Sequence, residues 1–214
     1  RNYQFVHIEG PDQRGVDCAL IYNPSQFTIR DTKLVPYIYD KQEDIEKGRA
    51  TRGFLVVSGT LAGEHVTIIV NHLPSRGADC YYRELGGRQI RVVKDSLQKD
   101  DPNVKIFIMG DMNDDPRDKS MSEALGARRE MKDVEEGGLY NPFWKIHDSG
   151  TGTLQYNNAW NLFDQIIMSR NLLDLEGTKK YDSLTFFQPQ IFRRDYLFQQ
   201  DGKYKGGTLR THDD

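Results

Sequence analysis

The sequence predicts a single α/β domain, and two observations lead to this prediction. Short β-type apolar runs stand on both sides of one long amphipathic segment, and no repeat, low-complexity tract or linker interrupts the 214 residues. The composition, with 37% hydrophobic and 29% charged residues, is that of an ordinary globular chain long enough to bury one large core. We therefore expect one domain over residues 1–214.

The first half of the chain contains four β-type runs rich in branched and aromatic residues. The last two are separated by a short segment with a glycine, which predicts a β-hairpin. The predicted strands cover residues 16–22, 33–39, 53–60 and 64–70.

The second half opens with a helix. Residues 80–99 carry Leu85, Ile90, Val93 and Leu97 as one apolar stripe among charged side chains, which predicts an amphipathic helix. The elements predicted after it are a strand at 104–109, a short helix at 118–125 capped by Gly126, a long ordered loop at 137–158 and a strand at 160–168.

Bulk properties exclude some classes of protein. No apolar run approaches the roughly 18 residues that a membrane span needs, so we expect no membrane span. The net charge of −3 and the pI of about 6.0 give no global basic field for nucleic acid, although a local basic groove stays possible. The sequence does not indicate an oligomeric state.

The two cysteines and the chain start say little about the cellular compartment. Cys18 and Cys80 are far apart without metal-ligand spacing, so we interpret both as free thiols, with one disulfide as the alternative. The chain begins at Arg1 without an initiator Met or a signal-like segment. We expect that any targeting region is not in this chain, and both a cytoplasmic and an exported location stay open.

Polar residues follow two of the predicted strands where each strand ends. Residues 64–70, the helix and residues 104–109 form a strand–helix–strand unit, whose strands should be parallel. Parallel strands end at the same edge, so Asn71 and His72 should lie close to Asp111 and Asn113, at the edge where open α/β sheets place ligands. An imidazole, a carboxylate and an amide at one place can orient a water, accept its proton and hold an oxyanion.

The geometry of this segment has two interpretations. If the strand continues, Asp111 and Asn113 point the same way and Met112 turns to the core. Alternatively, the acidic residues only form an Asx-rich turn that starts the next helix. The other histidines, His7, His65 and His147, have no companions in the sequence and are interpreted as surface or loop residues.

Three motifs together resemble the endonuclease/exonuclease/phosphatase superfamily, which has the deoxyribonuclease-I-like fold. They are Asn-His at 71–72, Gly-Asp-Met-Asn-Asp-Asp-Pro at 110–116 and Asn-Leu-Phe-Asp-Gln-Ile-Ile at 161–167. The likeness runs from about residue 12 to the end of the chain, and the block at 152–166 is most similar to uncharacterised bacterial members. The resemblance implies a two-sheet β-sandwich flanked by helices and the hydrolysis of phosphate esters with Mg²⁺ or Mn²⁺.

The resemblance also implies roles for individual residues. His72 resembles the histidine that contacts the scissile phosphate, Asp111 the aspartate that orients or deprotonates the attacking water, and Asn113 the asparagine that binds a phosphoryl oxygen. Asp164 resembles the aspartate that fixes the imidazole of a C-terminal catalytic histidine. Arg14 and Asn71 match phosphate-binding positions, and Asp111 is a candidate metal ligand.

Two of these residues have equally simple structural interpretations. Arg14 can be an exposed loop residue that pairs with Asp12 or Asp17. Asp164 lies in an apolar strand, where an unpaired carboxylate is costly, so a structural Arg or a backbone cap would serve it as well as an imidazole.

The chain departs from the superfamily pattern at both ends. The early Asn and the metal-binding Glu are not recognisable. Residues 211–214 read Thr-His-Asp-Asp, with His and Asp in the reverse order of the family's Ser-Asp-His and upstream of where that motif would fall, so no role is carried over to His212. We therefore expect a fragment of the fold that is incomplete at both ends.

Two functional hypotheses follow. The first is a metal-dependent phosphoesterase, whether phosphodiesterase, nuclease or phosphatase, acting on nucleic acid, a sugar or inositol phosphate, or a lipid phosphodiester. The alternative is a non-catalytic phosphate-binding or interaction domain on the same scaffold.

Overall fold

The structure, a computed structural model, describes residues 2–156, 159–177, 182–203 and 205–209. Its centre is a seven-stranded mixed sheet. The strands of this sheet are β3 (Phe27–Val35), β4 (Phe54–Leu61), β5 (Glu64–His72), β6 (Lys105–Asp111), β7 (Ala127–Arg128), β8 (Leu139–Tyr140) and β11 (Asp164–Ser169), in the spatial order β3-β4-β5-β6-β11-β8-β7.

Two small antiparallel sheets and several helices accompany the large sheet. One small sheet pairs β1 (Gln4–His7) with β2 (Ala19–Tyr22), and the other pairs β9 (Leu154–Tyr156) with β10 (Ala159–Asn161). The helices are α1 (Gln42–Glu46), α2 (Cys80–Asp100) and α3 (Phe143–Asp148), with a π-helical turn at Ser120–Leu125 and 3-10 turns at Met131–Asp133, Arg170–Leu172 and Asp195–Leu197.

The strand–helix–strand unit is present as the sequence predicts. The strands β5 and β6 pair in parallel, and α2 connects them. The side chain of Asp79 caps the start of α2 by accepting a hydrogen bond from the Tyr81 backbone N–H at 2.8 Å. Leu85 and Ile90 of the predicted apolar stripe are buried in the core. The crossover therefore brings the carboxyl ends of β5 and β6 to one edge.

Hydrophobic clusters cover both faces of the large sheet. On one face, α2 and the π-helical turn pack over Ile69, Ile106 and Ile108. On the other face, Leu20 of β2 and the partly buried Val6 of β1 pack over Leu55 and Val66. The expected α/β class and the layered arrangement with flanking helices are confirmed, and the small β1–β2 sheet forms the layer opposite the helices.

Several predicted boundaries need correction. The strand predicted at 16–22 begins only at Ala19, and the strand predicted at 33–39 lies instead at Phe27–Val35. The strand predicted at 160–168 is divided into β10 and β11, because Leu162 turns to donate its backbone N–H to Asp115 Oδ1 at 2.6 Å. The loop predicted at 137–158 contains β8, α3 and β9.

Other predictions hold. Gly126 ends the short helical turn in a left-handed conformation (φ 80°) and donates its N–H to the Met121 carbonyl at 3.1 Å. Cys18 and Cys80 are both free thiols. None of the helices in the described part of the chain is long and apolar enough to cross a membrane.

Candidate active site

Three neighbouring strands present polar side chains at one edge of the large sheet. His72 is the last residue of β5 and pairs with Asp111, the last residue of β6. On the other side of β6, the antiparallel strand β11 pairs its first residue, Asp164, with the same Asp111. Paired residues project to the same face of a sheet, so the three side chains form one row.

His72 and Asp111 are close enough to interact electrostatically. The Nε2 atom of His72 lies 3.6 Å from Oδ2 of Asp111, and their side chains are 36% and 35% exposed. Loss of hydration and the positive charge of Arg52 lower the pKa of His72, while Asp111 opposes the shift. The imidazole is therefore neutral at pH 7, with one ring nitrogen able to donate to a ligand oxygen and the other able to accept.

Asp164 completes the row from the side of β11. The residue keeps contact with solvent, but the surrounding protein removes part of the hydration of its carboxylate, which raises its pKa. A hydrogen bond with Thr153 opposes this shift, and the negative charge of Asp111 adds to it. His72 contributes a smaller favourable interaction. His212, which the sequence pattern left without a role, lies outside the described residues.

Asn113 does not continue the strand. The strand β6 ends at Asp111, and Asn113 adopts a left-handed conformation with φ 51°. The reason is local: the Asn113 N–H donates to Oδ1 of Asp111 at 2.8 Å, which closes an Asx turn. The expectation that Asn113 projects by strand alternation is therefore wrong, whereas Met112 does turn into the core, where it is fully buried.

The turn nevertheless brings the Asn113 side chain back to β5. Its Nδ2 donates to the Leu73 carbonyl at 2.8 Å, directly after His72 in the chain. Leu73 in turn donates its N–H to the Asp111 carbonyl at 3.0 Å. These reciprocal bonds fix the spacing between the ends of β5 and β6. The Asn113 amide carries a second N–H.

Gly110 permits this close approach of the two strands. Its φ is 130°, and a Cβ atom at this position would lie 1.9 Å from the Asn71 carbonyl oxygen. No side chain can be accommodated at that distance, and L-residues rarely adopt that backbone conformation. The residue before the candidate catalytic Asp111 therefore has to be glycine.

Asn71 lies on the other face of β5 from His72. It is 1% exposed, and its Nδ2 donates to the Met109 carbonyl across the sheet at 2.9 Å. Its neighbours Ile69 and Leu73 belong to the core beneath α2, as alternation along the strand requires. The predicted phosphate contact by Asn71 therefore receives no support from its position, and its amide pairs β5 with β6.

A group of charges from two other segments adjoins His72. The Asp12 carboxylate accepts from Arg14 Nη2 at 2.9 Å and lies 3.4 Å from Arg52 Nη1. The hydrogen bond from Arg14 is the main reason why the pKa of Asp12 is lowered to about 2. Arg14 therefore forms the ion pair with Asp12 that the sequence allowed. Its side chain is nevertheless 66% exposed, and the guanidinium still faces solvent. Its charge acts on the His72 imidazole.

Arg52 is a residue that the sequence reasoning missed. Its side chain is 5% exposed, and it donates to the His72 carbonyl at 3.1 Å through Nε and to the Leu73 carbonyl at 3.3 Å through Nη2. The β4–β5 hairpin does contain a signal for Arg52. When the pairing of the two strands is continued beyond the start of β4, the residues just before β4 come to lie beside the end of β5. Arg52 therefore anchors the backbone that carries His72.

The three histidines interpreted as lacking companions all have acidic neighbours. His7 contacts Asp17 at 3.0 Å and His65 contacts Asp101 at 2.6 Å. His147 lies 3.4 Å from Asp115 and its side chain is only 10% exposed, so its interpretation as a surface or loop residue was wrong. It lies on α3, which packs near the loop that follows β6.

A groove on the described part of the molecule lies elsewhere. It has a volume of about 350 Å³ and lies along the second half of α2. Its lining mixes positive residues such as Lys94 and Arg128 with acidic ones such as Glu123. None of the strand-end residues contributes to it, so we place the candidate site by its chemistry and not by cavity size.

The described residues do not form a ready metal centre. Among them, no group of three His, Cys, Asp or Glu side chains is arranged to hold a metal ion. Asp111 supplies one carboxylate, but its nearest neighbour is a nitrogen of His72 and not a further oxygen ligand. The pKa of Asp164 is raised, so its carboxyl group holds a proton more readily than an ordinary aspartate. This donor set does not fit the expected Mg²⁺ or Mn²⁺ site, since Mg²⁺ requires near-octahedral oxygen ligands.

Comparisons with solved structures identify the fold. The chain is similar to truncated Caenorhabditis elegans TDP2 (TM-score 0.54, 15% identity, 78% of this chain and 61% of that chain). It is also similar to ANGEL2, a 2′,3′-cyclic phosphatase (TM-score 0.59, 12% identity, 78% and 62%). A third similar structure is the human Nocturnin catalytic domain with bound sulfate anion (TM-score 0.50, 17% identity, 78% and 60%).

These likenesses establish the fold and not the substrate. The chain spans about three fifths of the length of these structures. A comparison with curated proteins gives no match. The sequence does match the Endonuclease/Exonuclease/phosphatase family over residues 1–214. With the shared fold of its structural neighbours and the row of His72, Asp111 and Asp164, this match shows that the chain belongs to the Endonuclease/Exonuclease/phosphatase family.

Proposed function

We propose that the protein hydrolyses phosphate esters by attack of water on phosphorus, at the edge formed by β5, β6 and β11. The observation that carries the proposal is the row of His72, Asp111 and Asp164 at paired strand positions. Membership of the Endonuclease/Exonuclease/phosphatase family supports it. So do the phosphatase activity named for ANGEL2 and the sulfate bound to Nocturnin.

In this proposal Asp111 is the group that activates water. Its carboxylate is about one third exposed, so a water molecule can reach it, and Oδ1 is already fixed by the Asn113 N–H. As the water oxygen bonds to phosphorus, its proton passes to Asp111. The bond from phosphorus to the leaving oxygen then breaks, and solvent supplies the proton that the leaving oxygen needs.

The neighbouring groups stabilise the charge that develops on the phosphoryl oxygens. The neutral imidazole of His72 donates one hydrogen bond, and the second N–H of the Asn113 amide donates another. Arg14 and Arg52 add positive charge, with Arg14 exposed enough to contact a substrate and Arg52 buried behind His72. Phosphoryl transfer depends mostly on such positioning and charge stabilisation.

The proposal includes dependence on a divalent metal ion, which is expected from the family and not from the described residues. Mg²⁺ or Mn²⁺ would neutralise charge on the phosphoryl group when bound. The described residues supply Asp111 as one candidate ligand and do not complete a site. Nucleotide, sugar phosphate and lipid phosphodiester substrates all present the same phosphoryl chemistry to these residues.

The experiment is a panel of phosphate monoesters, linear diesters and cyclic diesters, offered to the natural full-length protein. Each substrate is tested with Mg²⁺, with Mn²⁺ and with a chelator. Hydrolysis of at least one class, lost in an Asp111→Asn variant, is the expected result. If no substrate is cleaved under any of these conditions, the alternative of a phosphate-binding domain without catalysis replaces this proposal.

A further inference from the structure

Arg76 lies four residues after His72 and uses all three guanidinium nitrogens. Its Nε donates to the Asn113 carbonyl at 3.2 Å, and its Nη1 donates to Asn161 Oδ1 at 3.1 Å. The guanidinium also pairs with three carboxylates of the loop after β6, which are Asp114 at 3.4 Å, Asp115 at 3.0 Å and Asp118 at 2.8 Å. One side chain thus joins the segment after β5 to the segments after β6 and before β11.

The guanidinium also stacks on an aromatic ring next to the row. Its central carbon lies 4.5 Å from the centroid of Phe163, the residue directly before Asp164. The Phe163 carbonyl accepts the Met112 N–H at 2.8 Å, directly after Asp111. Arg76 therefore braces the point where the chain leaves β6 and the point where it enters β11.

The loop after β6 has anchors that do not depend on Arg76. Arg83, whose side chain is 6% exposed, pairs with Asp114 at 2.9 Å, and Ser120 donates to the same carboxylate at 2.6 Å. Asp115 accepts the Leu162 N–H. These buried contacts hold the loop to α2 and to the core. Arg76 adds a contact to the carbonyl of Asn113, a residue held at positive φ.

We infer that Arg76 is a positioning residue for the proposed phosphoester hydrolysis. By fixing the Asn113 backbone and the Phe163 ring, it sets the Asx turn on Asp111 and the separation of Asp111 from Asp164. This inference rests on the proposed function. The rigid fork of the guanidinium is essential, because a lysine ammonium cannot contact Asn113, Asn161 and the carboxylates at once.

The kinetic test uses Arg76→Ala and Arg76→Lys in the natural full-length protein, on a phosphoester that the parent cleaves. We expect kcat to fall about 100-fold in Arg76→Ala, as for a displacement of reacting groups by about 1 Å, with KM nearly unchanged. Arg76→Lys should restore little of the loss. The matched control is Arg117→Ala, which removes an arginine of the same loop that pairs with Asp148 at 3.0 Å. A parent-like kcat in Arg76→Ala, or a loss confined to KM, overturns the inference.

A second measurement does not need activity. The Asn113 N–H is bonded to Asp111, so its hydrogen exchange, followed by NMR, reports whether the turn is held. Exchange should accelerate at Asn113 in Arg76→Ala and not in Arg117→Ala, while core amides of β5 and β6 stay protected. Unchanged exchange at Asn113, or acceleration throughout the core, contradicts a positioning role. If the parent cleaves no phosphoester, the proposed function fails and this measurement alone decides the role of Arg76.

Discussion

His72 and Asp111 face each other across two parallel strands, with Nε2 and Oδ2 3.6 Å apart. This separation is too long for a good direct hydrogen bond. A water or phosphoryl oxygen can therefore contact both groups, and neither side chain has to break a strong bond to receive it. The parallel register produces this arrangement, because the crossover through α2 ends both strands at the same edge.

The lowered pKa of His72 predicts a pH dependence of stability. Its folded value lies below the ordinary value of 6.5, so below that pH the unfolded chain binds more protons than the folded protein. Stability should therefore fall as pH drops below 6.5 and level off below the folded pKa. In His72→Gln this loss should be absent. Urea midpoints measured from pH 8 to pH 5 check this, and equal slopes for the parent and the variant would show that the imidazole is not desolvated.

The buried carboxylate of Asp12 should be important for stability. Asp12→Asn leaves Arg52 buried without its acidic partner and should cost about 3 kcal/mol, as for other broken buried pairs. Because the pKa of Asp12 is lowered to about 2, this stabilisation is present above pH 3.8 and is lost as pH falls towards 2. The control is Asp148→Asn, which removes two solvent-accessible ion pairs, to Arg117 and Arg129, and should change the free energy of unfolding by less than about 1 kcal/mol. Similar effects of the two substitutions would contradict the account of Asp12.

Gly110 provides a steric prediction. Gly110→Ala puts a methyl group 1.9 Å from the Asn71 carbonyl oxygen and should destabilise the fold by roughly 4 kcal/mol or more. Gly63→Ala is the control, because Gly63 also has a positive φ of 82° but has no atom within 4 Å of the added carbon. That substitution should cost only about 1 kcal/mol. Denaturant unfolding of both variants distinguishes the effect of the steric clash from the effect of the positive φ. Equal losses in the free energy of unfolding would refute the steric explanation.

Magnesium binding by residues 1–214 should be weak. The described residues offer Asp111 and no group of three side chains that could hold a metal, whereas Mg²⁺ needs one or two well-placed carboxylates together with substrate phosphate. Calorimetric titration of this chain with MgCl₂ should show no stoichiometric binding. Tight binding with one ion per chain would mean that the metal site lies in residues other than those proposed here.

The sequence predicts the central unit of the fold because its signals are local. The apolar stripe of α2 and the β-type runs on either side of it define the parallel crossover, and the crossover brings His72 to Asp111. Where the prediction fails, a contact between distant residues decides the structure. Leu162 breaks the strand predicted at 160–168 because its N–H bonds to Asp115, 47 residues earlier in the chain.

In the candidate site, too, the sequence predicts some features and misses others. The crossover places His72 beside Asp111, but the sequence does not decide between a continued strand and an Asx-rich turn at Asn113, where the Asp111 side chain competes with the strand for the backbone N–H. It also does not predict that Asn71 faces away from His72, although alternation along β5 requires this once the strand is known to continue to residue 72. Arg76 was missed because an isolated arginine has no spacing signal, and Arg52 was missed because its signal, the β4–β5 register, appears only once the pairing of the hairpin is known.

The most direct test of the central claim is the rate of phosphoester hydrolysis by the natural full-length protein and its Asp111→Asn variant. The substitution keeps the shape of the side chain and removes the charge that accepts the proton of water. We expect the rate to fall by about 10²- to 10⁴-fold. The free energy of unfolding should change little, because the side chain is partly exposed at the sheet edge. Equal rates for the parent and the variant would contradict the assignment of Asp111 as the base and leave the strand-end carboxylates as turn-forming residues only.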